Sequence, residues 1–301
     1  MIKKGLQLGI GLLVPLLLIS CSNEDKKVDK EKQSMNQQNN NTKKVEIHTM
    51  FEVAYYGQPQ LIQRYLDHNH SINYEDKNGQ TPICYAIQTN QVATIQPFID
   101  KGADINHKNK LGQTPLHMAV SLGRVKIVDI LLKNGADINT KDNNGLTPLV
   151  YAIKNHQTEI ARKLIEKGAS LDANNPYHLT PLHIAVQENN KAIIKSLLKK
   201  GIDINAQNKE GSTALHYALI QKKSRVAKQL IEQGANVNLQ DKAGVTPLHI
   251  AIANGDIQIV KLLIKNGADK NIKTEDNETA MDIAKKINRK DIQKVLEDEK
   301  K

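Results

Sequence analysis

The chain has 301 residues, enough for one or two globular domains or for one elongated array. It holds no Trp and only two Phe, so a core must be aliphatic, and thin units that stack on one another suit that supply. The formal net charge is +10, but the basic residues form no dense block, which argues against nucleic-acid binding. We interpret the charge as spread over every helix. The alternative interpretation is that the positive charge serves to bind an acidic partner or an anionic envelope surface.

Residues 1–20 have the pattern of an export signal. Lys3 and Lys4 form a positive start, and residues 5–19 are apolar or nearly so. This run, which Pro15 interrupts, is shorter than the about 20 residues that a membrane-spanning helix needs. We therefore predict a cleaved signal peptide.

The signal ends at Cys21, which follows a serine. This ending resembles the lipobox of bacterial lipoproteins, and the resemblance implies that the Cys21 thiol receives diacylglycerol and becomes the mature N-terminus. The protein would then be anchored to the bacterial cell envelope through lipid. Ser22 resembles the outer-membrane sorting class, so in a Gram-negative cell we expect an outer-membrane protein that faces the periplasm. The alternative is an ordinary secretory signal with an incidental cysteine.

Residues 21–45 are predicted to form the lipidated N-terminus and a disordered tether. They are mostly Lys, Asp, Glu, Asn and Gln, and cannot bury enough apolar surface to fold. A flexible chain of this length spans roughly 25–30 Å on average. We expect it to hold a folded domain, residues 46–301, clear of the lipid headgroups.

A short motif recurs every 33 residues, in which Thr is followed by Pro or Ala, usually Leu, often His, and an Ala two positions later. Its threonines are Thr81, Thr114, Thr147, Thr180, Thr213, Thr246 and Thr279. This is the period and signature of ankyrin repeats, and residues 46–301 resemble that family. The resemblance implies an all-α solenoid of about eight helix-turn-helix repeats with β-turn fingers, of which the first, near residue 46, is degenerate.

The motif has a physical interpretation. A Thr before Pro can cap a helix whose first position accepts Pro, because that backbone N–H has no partner within the helix. The second helix of a repeat should end at a glycine such as Gly135. Pro97 falls inside one second helix, where it removes a hydrogen bond and meets the carbonyl of Ala93. We predict a kink or an early break there.

Four histidines share one motif position: His117, His183, His216 and His249. Stacked helices lie 8–10 Å apart, whereas zinc bonds measure about 2.0–2.1 Å, so these histidines cannot share one ion. We interpret each as tying its loop to the neighbouring unit through hydrogen bonds. Cys84 occupies the same motif position, and we interpret it as a small buried residue. No catalytic or nucleotide-binding motif occurs, so we predict no enzyme activity, no metal and no cofactor.

Ankyrin proteins bind partner proteins through the finger tips and the exposed side of the first helices, which line a concave surface. The resemblance therefore implies a protein-binding module, which we expect to be a monomer. The first-helix positions that it indicates are Tyr55, Gln88, Leu122, Lys154, Glu188 and Gln221.

Tyrosines add a second set of candidates. Tyr85, Tyr151 and Tyr217 recur in every second repeat and could form an aromatic row along the groove, the alternative being that they pack between helices. Tyr177 lies on a finger in which His178 replaces the usual glycine. The sequence of such a finger has either changed by neutral drift or been reshaped to contact a partner, and we favour contact with a partner.

The leading hypothesis is an envelope-anchored recognition module, and its most concrete form is an immunity or inhibitor protein that neutralises a toxin or effector such as a phospholipase. The alternative is a structural scaffold or chaperone for a resident envelope enzyme. Both hypotheses depend on the combination of a lipid anchor with ankyrin-like repeats, and neither depends on a functional motif.

Overall fold

The computed structural model describes residues 49–172 and 175–298. Within these ranges every regular element is helical, which confirms the predicted all-α class. No helix in this part of the chain is long and apolar enough to cross a membrane. The predicted signal peptide, Cys21, the whole predicted tether and residues 46–48 lie outside the described residues.

Sixteen α-helices form eight pairs in the described ranges, and a short 3-10 helix, Pro59–Leu61, precedes the second helix of the first pair. Odd numbers denote the first helix of a pair. The helices are α1 Met50–Tyr55, α2 Ile62–Asp67, α3 Pro82–Gln88, α4 Val92–Asp100, α5 Pro115–Ser121, α6 Val125–Lys133, α7 Pro148–Lys154, α8 Thr158–Glu166, α9 Pro181–Gln187, α10 Lys191–Lys199, α11 Ala214–Ile220, α12 Ser224–Glu232, α13 Pro247–Asn254, α14 Ile257–Lys265, α15 Ala280–Lys286 and α16 Lys290–Asp298.

The first helices begin after the motif threonine, as the Thr-Pro pattern predicts. Thr114 has an extended backbone, and its hydroxyl oxygen accepts a hydrogen bond from the His117 amide. Thr81 and Thr147 hold the same backbone conformation, but their side chains make no capping hydrogen bond. Their helices carry Cys84 and Val150 at the third position, where the capped helices have a histidine, a glutamate or an aspartate. The side-chain cap therefore depends on the third residue of the helix, which the threonine pattern alone does not reveal.

The second helices end at glycine, as predicted. At the end of α6, Gly135 adopts a left-handed backbone with φ of 88°, and the next amide, of Ala136, donates to the carbonyl of Leu131 at 3.0 Å. This closing bond satisfies a carbonyl that the helix leaves free. The same left-handed glycine recurs in the later repeats, so the helix ends keep the 33-residue interval.

The predicted early break at Pro97 is wrong. The α4 helix contains Pro97 and still has nine residues, the same length as α6. Its neighbours in the helix, Ile95 and Phe98, are fully buried. Burial of two such side chains contributes ~1.5–3 kcal/mol each, which offsets the ~3 kcal/mol that a proline inside a helix costs.

The helices form two layers. Each first helix packs on the first helices of the neighbouring repeats and on its own second helix, and the core lies between the layers. Leu116 and Ala119 of α5 and Ile127 of α6 have no exposed surface. Consecutive first helices pack on one another along the whole described stack. We call the odd-numbered helices the inner layer and the even-numbered helices the outer layer.

Candidate protein-interaction face

The inner layer and the turns that project beside it form one continuous face. We call each five-residue turn a finger, and we call the exposed side of the odd-numbered helices, with the fingers and the loops leading to them, the inner face. The fingers are residues 76–80, 109–113, 142–146, 175–179, 208–212, 241–245 and 274–278.

Each finger except the last is closed by the side chain of its first residue, an Asp or Asn. Asp76 Oδ1 accepts hydrogen bonds from the amides of Asn78 at 2.7 Å and Gln80 at 2.8 Å, and the equivalent bonds recur at the next five fingers. Asp and Asn favour such turns because their short side chains reach backbone amides two and four positions ahead. Neighbouring fingers are joined as well, since the Lys110 amide donates to the carbonyl of Asn78 at 3.0 Å. The fingers are thus held in register.

The motif histidines tie each first helix to the following finger. His117 Nδ1 accepts from the Thr114 amide at 3.2 Å, and its Nε2 contacts the carbonyl oxygen of Leu146 at 3.1 Å. Because Nδ1 is the acceptor, the proton lies on Nε2, which donates. His183 and His216 make the same long-range contact, to Ser212 at 3.0 Å and Val245 at 3.1 Å. The structural interpretation of these three histidines is confirmed.

The fourth motif histidine differs. His249 Nε2 is buried and has no hydrogen-bond partner among the described residues. Burial lowers the pKa of His183 and His216 to about 4, and it lowers the pKa of His117 and His249 as well. These imidazoles are therefore neutral at pH 7. In the described ranges no three His, Cys, Asp or Glu side chains come close enough to hold a metal ion.

The Tyr151 side chain is built into the stack. It is 9% exposed, its hydroxyl donates to Asp142 Oδ2 at 2.8 Å, and it accepts from Gln113 Nε2 at 2.7 Å. Its ring stands edge-on to that of His117, with centroids 5.4 Å apart. Tyr151 therefore packs between helices, as in the alternative to an aromatic row along the groove. It links three successive units.

Tyr85 and Tyr217 are partly exposed but make related contacts. Tyr85 donates to Asp76 Oδ2 at 2.9 Å, and burial, then this hydrogen bond, raise the pKa of Tyr85 to about 12. Tyr217 accepts from Asn208 Nδ2 at 3.0 Å. The Tyr85 ring lies 4.9 Å from that of Phe51, and the Tyr217 ring 5.4 Å from that of His183. Each tyrosine thus pairs with an aromatic ring of the preceding repeat.

The six first-helix candidates lie on the inner face, and all are partly exposed. Some already have partners in the fold, since Gln88 Nε2 donates to Gln80 Oε1 at 2.7 Å, and Glu188 lies 3.7 Å from His156 Nε2. Their contact with a partner stays a prediction. The set is Tyr55, Gln88, Leu122, Lys154, Glu188 and Gln221.

Within the described residues the large exposed hydrophobic side chains are Tyr56, Tyr74, Leu111 and Tyr177. Leu111 and Tyr177 lie on finger tips and are 57% and 41% exposed. Tyr56 directly follows α1, and Tyr74, which is 64% exposed, precedes the first finger. The repeat pattern indicates Tyr177 but not Tyr74, whose position in the other repeats is taken by unrelated residues.

Tyr74 belongs to an aromatic cluster at the first two repeats. Its ring centroid lies 6.0 Å from that of Phe51, which in turn packs against Tyr85. Tyr55 and Tyr56 pack edge-on at 5.1 Å nearby in sequence. The cluster could have been predicted from the local composition, because six of the ten Phe and Tyr residues lie between positions 51 and 85.

The finger of residues 175–179 departs from the others. Pro176 stands where Lys110 and Asn143 donate an amide to the preceding finger, and a proline has no amide hydrogen to donate. His178 takes the usual glycine position with φ of 54°, in the left-handed region. Among the described residues this finger is therefore joined to the next one, through the Lys209 amide and the carbonyl of Tyr177, but not by the equivalent bond to the preceding one. Tyr177 is presented at its tip.

A comparison with family models agrees with this architecture. The model described as "Ankyrin repeats (3 copies)" matches residues 50–142, 135–208 and 203–274. A search of the curated proteins found no match. Ankyrin repeats generally serve as protein-binding modules and not as enzymes. Since the matches span residues 50–274 of a 301-residue chain that folds as paired helices with fingers, this protein belongs to the ankyrin-repeat family.

Proposed function

We propose that this protein is a lipid-anchored recognition module of the bacterial cell envelope, which holds a partner protein on its inner face. The observation that carries the proposal is the placement of Tyr56, Tyr74, Leu111 and Tyr177. Aromatic side chains supply much of the energy of protein interfaces. Tyr74, Leu111 and Tyr177 lie on the inner face, on fingers or on the loop that leads to the first finger, and Tyr56 directly follows α1.

The rest of the inner face has mixed chemistry, as a protein partner requires. Successive repeats present amide, aliphatic, basic and acidic side chains at or just after the end of the first helix, as in Gln88, Leu122, Lys154 and Glu188. A surface of one charge would instead favour a polyanion or a polycation. Polar groups around apolar anchors favour a specific protein interface.

The anchor half of the proposal depends on the sequence at Cys21. Acyl chains on this cysteine would hold the protein stably at a membrane, because each buried methylene contributes ~0.8 kcal/mol. A binder held at the membrane can meet a membrane-directed toxin where it acts. We therefore propose an immunity or inhibitor role against a toxin or effector, such as a phospholipase.

Site-specific photo-crosslinking in cells tests the binding face. A photoreactive amino acid is placed at Leu111 or Tyr177 on the fingers, with matched controls at Lys126 and Gln258, which are exposed on the outer layer. We expect a discrete crosslinked protein from the finger positions and none from the outer positions. Equal crosslinking from both layers would contradict the assignment of the inner face.

The identity of the crosslinked protein then separates the two roles. Cells that lack the ankyrin protein are exposed to the purified partner. Killing that is prevented by restoring the ankyrin protein supports immunity. A harmless resident enzyme whose location or yield falls without the ankyrin protein supports instead the scaffold or chaperone role.

A further inference from the structure

The outer layer carries a row of basic side chains at one register position. In five consecutive repeats, α8 to α16, the same position of the second helix holds an exposed Arg or Lys, with 33 residues between neighbours. The two preceding repeats have Gln96 and Asp129 there, so the row begins at α8. The row consists of Arg162, Lys195, Lys228, Lys261 and Lys294.

Positive charge in this half of the stack is segregated to the outer layer. The second-helix segments 158–167, 191–200, 224–233 and 257–266 contain eleven basic residues and only three acidic ones. The segments between them, which supply the inner layer and fingers, contain four basic and six acidic residues. Within residues 158–266 the positive charge is therefore concentrated on the outer layer and not spread over every helix, whereas α16 carries two basic and three acidic residues.

The charges of the row are not neutralised by the fold. Lys228 lies 3.8 Å from Glu232, a spacing typical of a weak pair on an exposed helix. Among the described residues the other four members form no ion pair. The outer helices also carry no large exposed hydrophobic side chain, so this surface can attract an anionic partner but has nothing to insert into it.

The shape of the row favours an extended partner. Packed helices lie about 8–10 Å apart, so five successive helices set the cations along roughly 30–40 Å. A folded acidic protein would need a matching line of carboxylates, whereas anionic lipid headgroups supply negative charge continuously over a plane. Basic side chains near such a plane are attracted over about one Debye length.

We propose that the basic row of the outer layer binds the anionic headgroups of the membrane to which the chain is anchored. This inference rests on the lipid anchor of the proposed function. The two layers have opposite exposed sides, so contact through the outer layer leaves the inner face directed away from the lipid and open to its partner. Headgroup contact thereby orients a binder that a flexible tether alone would leave free to rotate.

Vesicle binding tests the proposal without the anchor. The chain from Ser22 onward contains the whole described stack, and its partition is measured on vesicles of equal parts phosphatidylglycerol and phosphatidylcholine, and on phosphatidylcholine alone. The test variant carries Lys195→Glu, Lys228→Glu and Lys261→Glu. The matched control carries Lys110→Glu, Lys209→Glu and Lys242→Glu, exposed finger lysines with the same total change of charge. Circular dichroism verifies that each variant keeps its helices.

We expect the wild type and the finger variant to bind the phosphatidylglycerol vesicles, with binding that weakens as salt rises. The outer-layer variant should bind about a hundredfold less tightly or worse, because each lysine contributes about fivefold to such binding. Equal loss in the two variants would overturn the proposal, as would wild-type binding that does not need phosphatidylglycerol.

Retention on an acidic protein such as a polyglutamate column, without vesicle binding, would also overturn the proposal and assign the row to an acidic protein. The vesicle assay uses no acyl chain and no partner. Its failure is therefore distinct from failure of the lipid anchor or of the inner face, which the cell-based experiments measure.

Discussion

The Tyr151 hydroxyl lies 2.8 Å from Asp142 Oδ2, at the base of the finger that begins with Asp142. Removal of this hydroxyl by Tyr151→Phe takes away the hydrogen-bond partner of Asp142 Oδ2 and of Gln113 Nε2. We expect the free energy of unfolding to fall by about 1–3 kcal/mol, measured by urea denaturation. Tyr177→Phe is the control, because Tyr177 is 41% exposed and a change there should have almost no effect. Equal effects of the two substitutions would contradict the structural role of Tyr151.

The stability of the stack should depend on pH between about 4 and 6.5. The pKa of His183 and His216 is about 4 in the fold, mainly through burial, against 6.5 for an ordinary histidine. The unfolded chain therefore binds more protons in this window, so stability is complete above pH 6.5 and falls as the pH drops toward 4. Denaturation as a function of pH should show a slope of at most about 2.7 kcal/mol per pH unit from the pair.

His216→Gln keeps a donor for the carbonyl of Val245 but removes one titrating group. It should reduce that slope by about 1.4 kcal/mol per pH unit. An unchanged slope would show that these histidines are not the groups that titrate.

Pro176→Lys should restore the missing link between fingers. The equivalent Lys209 and Lys242 amides each donate to the preceding finger at 3.0 Å, whereas Pro176 has no hydrogen to donate. A new backbone hydrogen bond, worth about 1 kcal/mol, should slow hydrogen exchange in residues 175–179 by roughly fivefold to tenfold. Exchange in the finger of residues 241–245 serves as the internal control and should not change. Unaltered exchange at 175–179 would mean that this finger is held by other contacts.

Cys21→Ser should release the protein from the membrane. The substituted cysteine is the predicted acyl acceptor, and the outer layer alone supplies only salt-sensitive binding. After a salt wash, fractionation should find the variant in the soluble fraction and the wild type in the membrane fraction. Retention of the salt-washed variant would contradict the lipoprotein assignment.

The fold could be predicted almost completely from the 33-residue interval. Each repeat must bury its face on the next, so a motif that keeps phase from Thr81 to Thr279 determines helix pairs, turns and stacking order together. The tie between His117 and the following finger was predictable for the same reason. A residue that recurs at one position meets the same neighbours in every repeat.

Features that depend on an exception to the repeat were harder to predict. The α4 helix continues through Pro97 because burial of Ile95 and Phe98 outweighs the tendency of proline to end a helix. Tyr74 stands at a position with no motif identity, and only the neighbouring ring of Phe51 makes it part of a cluster. The role of Tyr151 depends on Asp142 and on a ring 34 positions earlier, contacts that helical periodicity within one repeat does not reveal.

The most direct test of the central claim is the affinity of the crosslinked partner for the inner face. Isothermal titration compares the wild type with the double variant Leu111→Ser and Tyr177→Ser, and with the outer-layer control Lys126→Ser and Gln258→Ser. Two exposed anchors at the centre of an interface contribute at least ~2 kcal/mol, so the finger variant should bind about 30-fold less tightly or worse, while the control binds as the wild type does. Unchanged affinity in the finger variant, or an equal loss in the control, would contradict binding through the inner face.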